Sequence, residues 1–328
     1  VASNHGLRRL TSGGLRILAV AAAYFAVAEA GLLAEIARRQ VSPLWPATGV
    51  ALVCLLLLGW RVWPGIALGA FLSNLVLGIS ELVSAALALG TTLSLLCAYW
   101  LLRRVGFSTE LERLRDALAL VFLAAFAGML LSATVGAGAL VVSGGTPARD
   151  FWQTWMLWWT GDALGVLIVA PVLLMARRLR WPRGVRWYRW VEGAALVVGT
   201  FAAMVVAVRS LEVIFVAFPF LIWAGFRFQL VGTAPVALIA ATVAVDAQAR
   251  GLGPFGGHGL AYDMVILQLF NGSVALVGLV LAALIAERDR AQRDIEQTVG
   301  QLADVVNHLE RGTGFGNPAK RWDLPPGH

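Results

Sequence analysis

Three carboxylic acids, Glu29, Asp162 and Asp246, stand inside long apolar stretches of this chain, and Asn74, Gln268 and Asn271 share that setting. An ionisable group at the centre of a bilayer costs roughly 2.5–3.5 kcal/mol on insertion scales, so such groups usually carry a partner or a task. Two chemistries are open to this set. The groups line a polar pocket that takes a small ligand of unknown identity, or they hydrogen-bond one another and fix helix packing at about 1 kcal/mol per contact. Trp152, Trp155, Trp158 and Trp159 crowd the approach to Asp162 at helical spacing. Most tryptophans here read as interfacial anchors, while Trp158 and its neighbours could also form an aromatic wall beside the acid.

Reaction chemistry finds no foothold in the same inventory. No grouping of Ser, His and Asp suggests nucleophilic catalysis, so no catalytic residue and no enzyme activity are expected. His5, His258, His308 and His328 all lie outside the apolar stretches, which leaves no intramembrane pair for haem or a metal. The only lysine, Lys320, is far from any such stretch; a retinal Schiff base has no amine to form on. GLGPFG at Gly251, Gly253 and Gly256 has the spacing of a dinucleotide fingerprint but follows an apolar helix instead of a strand, so the match is accidental. Cys54 and Cys97 sit in separate apolar segments and read as packing residues. No cofactor and no metal are expected.

The elements that position these side chains must be membrane helices. The chain has 328 residues, 59% of them hydrophobic and 14% charged, with mean hydropathy +0.76; that is too little polar surface to cover a soluble globule of this size. Apolar stretches long enough for a hydrocarbon core of about 30 Å recur from Leu15 to Ala286. The expected fold class is an all-α integral membrane helical bundle of about ten transmembrane helices, at 15–36, 44–60, 62–79, 81–102, 117–142, 151–175, 190–208, 212–226, 229–250 and 262–286. The second and third spans, and the eighth and ninth, read as tight hairpins. Eight crossings result if one hairpin is re-entrant. Arg8, Arg9 and Arg16 before an apolar run resemble a signal peptide, but the run resumes at Leu32 and predicts an uncleaved first helix.

Charge fixes the direction. With the amino terminus inside, fifteen arginines fall on the cytoplasmic side of the spans and five on the other, the bias of a multi-pass protein of a cytoplasmic (inner) membrane with both termini inside. The net charge of +7 is therefore topological and does not point to nucleic acid. This orientation puts Glu29 in the outer half of the first helix, Asp246 in the outer part of the ninth and Asp162 near the middle of the sixth.

The last helix continues past the apolar stretch as ERDRAQRDIEQTV and QLADVVNHLE, where Ile295, Val299, Leu302, Val306 and Leu309 step by 4, 3, 4 and 3. That is the seam of a parallel coiled coil and predicts a homodimer; a helix lying on the membrane surface is the alternative. The expected organisation is a cytoplasmic segment at 1–14, a membrane domain at 15–286, a signalling helix at 287–310 and a disordered tail at 311–328.

Three ordered blocks resemble the first-described family of bacterial membrane-associated sensor domains, MASE-type integral membrane sensory domains. They are LWPATGVALVCLLLLGWRVWPGIALGAFLSNL from Leu44, WWTGDALGVLIVAPVLL from Trp158, and FPFLIWAGFRFQLVGTAPVALIAA with the GLGPF turn and LQLFNGSVALVGLVLAALIAER. The pattern is carried by Trp45, Pro46, Gly49, Gly59, Pro64, Gly69 and Asn74, by Gly161, Asp162, Gly165 and Pro171, and by Pro219, Trp223, Arg227, Gly253 and Pro254. The resemblance brings Trp45 into the candidate ligand-binding set and Arg227 into the signal-transmitting set. It also implies cytoplasmic outputs such as PAS, diguanylate cyclase or histidine kinase domains. The residues after Ala286 are too few for one, so the module stands alone or acts on an output outside this sequence.

Two functions compete. A receptor would transmit from an outward pocket through the last helix to a cytoplasmic output or partner protein. A secondary transporter or channel would use the same buried acids and proline-interrupted helices, yet no inverted repeat is evident between the halves.

Overall fold

Glycine and proline punctuate the apolar runs of this sequence, and in the computed structural model, which describes residues 2–38, 44–178, 187–255 and 260–312, they mark where helices start, widen and turn. No strand occurs among the described residues. The helices are α1 (Ala2–Arg38), α2 (Pro46–Leu58), α3 (Trp63–Val76), α4 (Glu81–Arg104), α5 (Leu114–Ala119), α6 (Met129–Val142), α7 (Phe151–Leu164), α8 (Ala170–Arg178), α9 (Trp187–Val206), α10 (Ala217–Phe228), α11 (Leu230–Ala249) and α12 (Leu260–Gly312). A π-helical stretch, Leu120–Gly128, joins α5 to α6, and another, Gly165–Val169, joins α7 to α8. The second precedes Pro171, which has no N–H to return to the Leu167 carbonyl.

Seven helical stretches among the described residues are long and apolar enough to cross a membrane. They are Gly13–Leu32, Glu81–Arg104, Leu114–Val142, Ala148–Arg177, Trp187–Leu211, Leu230–Phe255 and Tyr262–Val306. The other three expected spans are helices too, but α2, α3 and α10 have 13, 14 and 12 residues, about 18–21 Å at 1.5 Å per residue against a hydrocarbon core of about 30 Å. Large apolar side chains such as Leu82, Leu89, Phe122 and Phe201 stand exposed on the outer faces, where only lipid can cover them. Cys97 is among these exposed side chains, so the expectation that it packs inside the bundle is corrected; Cys54 is half-buried.

Successive segments alternate in direction. Gly65 of α3 meets Ile17 and Gly69 meets Ala21 and Tyr24, so α3 runs parallel with α1. Trp45 meets Gly161 and Gly49 meets Gly165, so α2 runs parallel with α7. The chain reverses between α2 and α3 at Gly59, whose φ of 88° suits a residue without Cβ. The two helices nevertheless pack on α1 and α4 and hardly on each other, which loosens the expected tight hairpin. By contrast α10 and α11 do pack closely about Gln229, with Gly232 against the Ala224 carbonyl. This alternation carries Arg61, Arg103, Arg104, Arg177 and Arg227 toward one end of the bundle.

The chain divides into two units, Val1–Ile285 and Ala286–His328. The first holds two apolar cores, one around Leu52, Ile66, Leu95, Leu120 and Ile168 and one around Met204, Leu221, Val236 and Leu267. Helix α12 ends at Gly312, slightly past the expected end of the signalling helix. No break separates the expected segment 1–14 from the first span, because α1 starts at Ala2. The tail from residue 313 lies outside the described residues.

Candidate functional site

Asp162 lies in the last turn of α7 and is 3% exposed. Its two oxygens accept from two hydroxyls on different helices: Thr48 Oγ1 of α2 donates to Oδ1 at 2.6 Å, and Ser132 Oγ of α6 donates to Oδ2 at 2.7 Å. The backbone beside it is equally constrained. Trp45, the residue before Pro46 opens α2, donates its N–H to the Gly161 carbonyl at 3.0 Å, which satisfies one of the free donors at a helix start. A Cβ on Gly49 would run into the Gly165 carbonyl oxygen, and one on Gly165 into the Trp45 carbonyl oxygen. Gly65 and Gly69, against α1, and Gly161 and Gly165, against the start of α2, thus mark close approaches of helices.

Next to this clamp is a cavity of about 390 Å³. Helices α1, α3 and α6 reach it from their carboxyl halves, through Tyr24 and Leu32, Ser73 and Asn74, and Leu140; α4 reaches it from its amino half, through Leu87 and Thr91, and α7 through Thr154, Trp158 and Asp162, which lie in the amino half of the longer helical stretch Ala148–Arg177. It therefore lies at the end of the bundle away from Arg61, Arg103 and Arg104. Trp45 Nε1 and the Tyr24 hydroxyl are 3.5 Å apart at its wall, and the Trp158 ring is seated over Gly136, where a Cβ would collide with it.

The tryptophans of α7 divide between two tasks. Trp155 and Trp159 stack at 5.9 Å between centroids, Trp152 meets Trp155 edge-on, and their indoles reach α6 and its π-helical approach through Thr134 Oγ1 and the Phe126 carbonyl. Only Trp158 of the four turns to the cavity.

Of the eight residues expected to form one pocket, Trp45, Asn74, Trp158 and Asp162 line this cavity and four do not. The expectation of a single pocket is corrected accordingly. Asp246 lies one turn before Arg250 and pairs with it at 2.9 Å. Gln268 donates its amide to Thr160 Oγ1 on α7. Asn271 is wholly buried on α12, with neither side-chain polar atom partnered among the described residues, and Glu29 is half-buried with Oε1 likewise unpartnered. Sequence reasoning passed over Tyr24, Thr48 and Ser132, because aromatic and hydroxyl residues are unremarkable in apolar helices; only their meeting at Asp162 and Trp45 gives them weight.

In the signal-transmitting set, Arg227 Nε contacts both carboxylate oxygens of Glu192 on α9, at 2.7 and 2.8 Å. Ile295, Val299, Leu302 and Val306 are more than half exposed on α12, and the Leu309 side chain lies outside the described residues. Among the described residues no group of three or more His, Cys, Asp or Glu side chains is arranged to hold a metal.

Comparison with known proteins gives one family. Residues 15–289, most of the chain, match MASE1, a membrane-associated sensor domain. No curated protein and no solved structure matches the chain.

Proposed function

The chain belongs to the MASE1 family of membrane-associated sensor domains, and we propose that it perceives a small ligand in the Trp45, Trp158 and Asp162 cavity and transmits that state through α12. The observation that carries the reading is the cavity itself, set among five helices at the arginine-poor end. The arginine bias favours an orientation in a cytoplasmic membrane with that end outward and both termini inside.

Transmission has a physical route. Helix α7 lines the cavity with Thr154, Leu157, Trp158, Gly161 and Asp162, and between them Thr160 accepts the Gln268 hydrogen bond from α12. A ligand that shifts or rotates α7 acts on α12 through that bond. The exposed stripe of Ile295, Val299, Leu302 and Val306 fits a second copy of the same helix in a parallel coiled coil. Two heptads are marginal alone, so the dimer draws on the membrane unit and hands the signal to a cytoplasmic output or partner.

A thermal-shift screen of small molecules in detergent, run on wild type and Trp158→Leu in parallel, tests the ligand reading. The expected result is a compound that raises the Tm of wild type and leaves the variant unmoved. Hits that act equally on both proteins count against the cavity as the sensory site.

A further inference from the structure

We propose that the ligand of this cavity is an organic cation, an ammonium group on an apolar body, balanced by Asp162 and enclosed by the rings of Tyr24, Trp45 and Trp158. The inference rests on the reading of the cavity as the sensory pocket.

The charge inventory supplies the first argument. Asp162 is the one carboxylic acid among the lining residues, and no Arg, Lys or His joins it there. Among the described residues no cationic side chain comes within ion-pair distance of it. Two hydroxyls orient dipoles toward its oxygens, but a hydroxyl carries no net charge, and a buried carboxylate is normally matched by a cation. A cationic ligand is the missing counter-ion. An anionic ligand would face the like charge of Asp162 with no lining cation to offset it.

The aromatic lining supplies the second. Tyr24, Trp45 and Trp158 come from α1, the start of α2 and α7 and converge on one space. Ring systems of this kind attract ammonium groups through their quadrupoles, most strongly when water is excluded. The hydroxyls of Thr91 and Thr154 and the amide of Asn74 add neutral acceptors. Apart from Ser73 and Gly161 the rest of the wall, five leucines and Ile79, is aliphatic, and a space of about 390 Å³ is far larger than an ammonium head. The ligand therefore carries an apolar body as well as its charge.

Three probes of one shape separate the possibilities: 2-phenylethylammonium, 2-phenylethanol and phenylacetate. Their binding at neutral pH is measured by calorimetry to the protein in phosphatidylcholine nanodiscs, with empty discs subtracted. The expected ranking in wild type is the ammonium roughly tenfold or more tighter than the alcohol, with phenylacetate weakest. Asp162→Asn should bring the ammonium to the level of the alcohol, and Trp158→Leu should weaken it. If the alcohol equals or outranks the ammonium in wild type while Trp158→Leu still weakens both, the charge class is wrong and the pocket stands. If no probe binds, or Trp158→Leu changes none of them, the pocket reading itself falls. The wild-type ranking holds its meaning even if Asp162→Asn fails to fold.

Discussion

Gln268 of α12 donates its side-chain amide to the Thr160 hydroxyl of α7, two residues before the buried Asp162. The bond joins α7, which lines the cavity, to α12. Gln268 is half-buried and Thr160 also bonds back to the Met156 carbonyl at 2.5 Å, so the hydroxyl is held in place to receive the amide.

A double-mutant cycle of Thr160→Val and Gln268→Leu should show a coupling of about 0.6–1.7 kcal/mol in reversible unfolding, the range measured for polar pairs between membrane helices. Additive effects of the two substitutions would mean that the contact contributes nothing to joining α7 and α12.

Asp162 holds three helices, and its two donors can be removed one at a time. Thr48→Val and Ser132→Ala should each lower stability by about 1–3 kcal/mol, because each leaves a buried carboxyl oxygen without its donor. Asp162→Asn keeps one acceptor oxygen and nearly the same shape; it should fold and yet respond differently to ligand. Unaltered signalling from that variant would remove any role for the acid beyond packing.

Backbone contact between α2 and α7 leads to a sharper contrast. Gly49→Ala and Gly165→Ala place a methyl group against a carbonyl oxygen of the other helix and should destabilise by about 1–3 kcal/mol or more. Gly138→Ala, where nothing lies within 4 Å of the added carbon, should be neutral or slightly stabilising. Equal melting temperatures across the three would contradict the close approach.

Much of this arrangement was legible in the sequence. Each of the ten apolar runs is a helix, because stretches such as Leu114–Val142 have one stable way to satisfy their backbone in lipid. What hydropathy does not carry is depth. The runs at α2, α3 and α10 are as apolar as their neighbours, but the helices stop early where Gly59, Gly78 and Gln229 turn the chain. The site was half legible. Polar residues in apolar runs drew attention to Asn74 and Asp162, which line one cavity, and equally to Asp246, whose partner Arg250 is only one turn away, and to Gln268, which serves a helix contact. Thr48 and Ser132 gave no signal, since a hydroxyl in a membrane helix can bond its own backbone, as Thr92 does to the Ala88 carbonyl.

The exposed stripe on α12 makes a prediction about assembly. Single cysteines at Val299, Leu302 and Val306, in a background without Cys54 and Cys97, should form crosslinks between subunits in native membranes, with Leu302 and Val306 at least as efficient as flanking Gln301 and Asp304. No crosslinking at any seam position, or equal crosslinking all round the helix, would rule out the parallel coil.

Sidedness bears most directly on the claim that a pocket faces outward while the last helix leads inward. Thr154→Cys, on the cavity wall, and Val299→Cys, on the signalling helix, would each be exposed in intact cells to a membrane-impermeant maleimide, again without the two native cysteines. The account predicts that Thr154→Cys is labelled from outside and that Val299→Cys is labelled only after the membrane is permeabilised. Labelling of Val299→Cys in intact cells, or of Thr154→Cys only after permeabilisation, would contradict it.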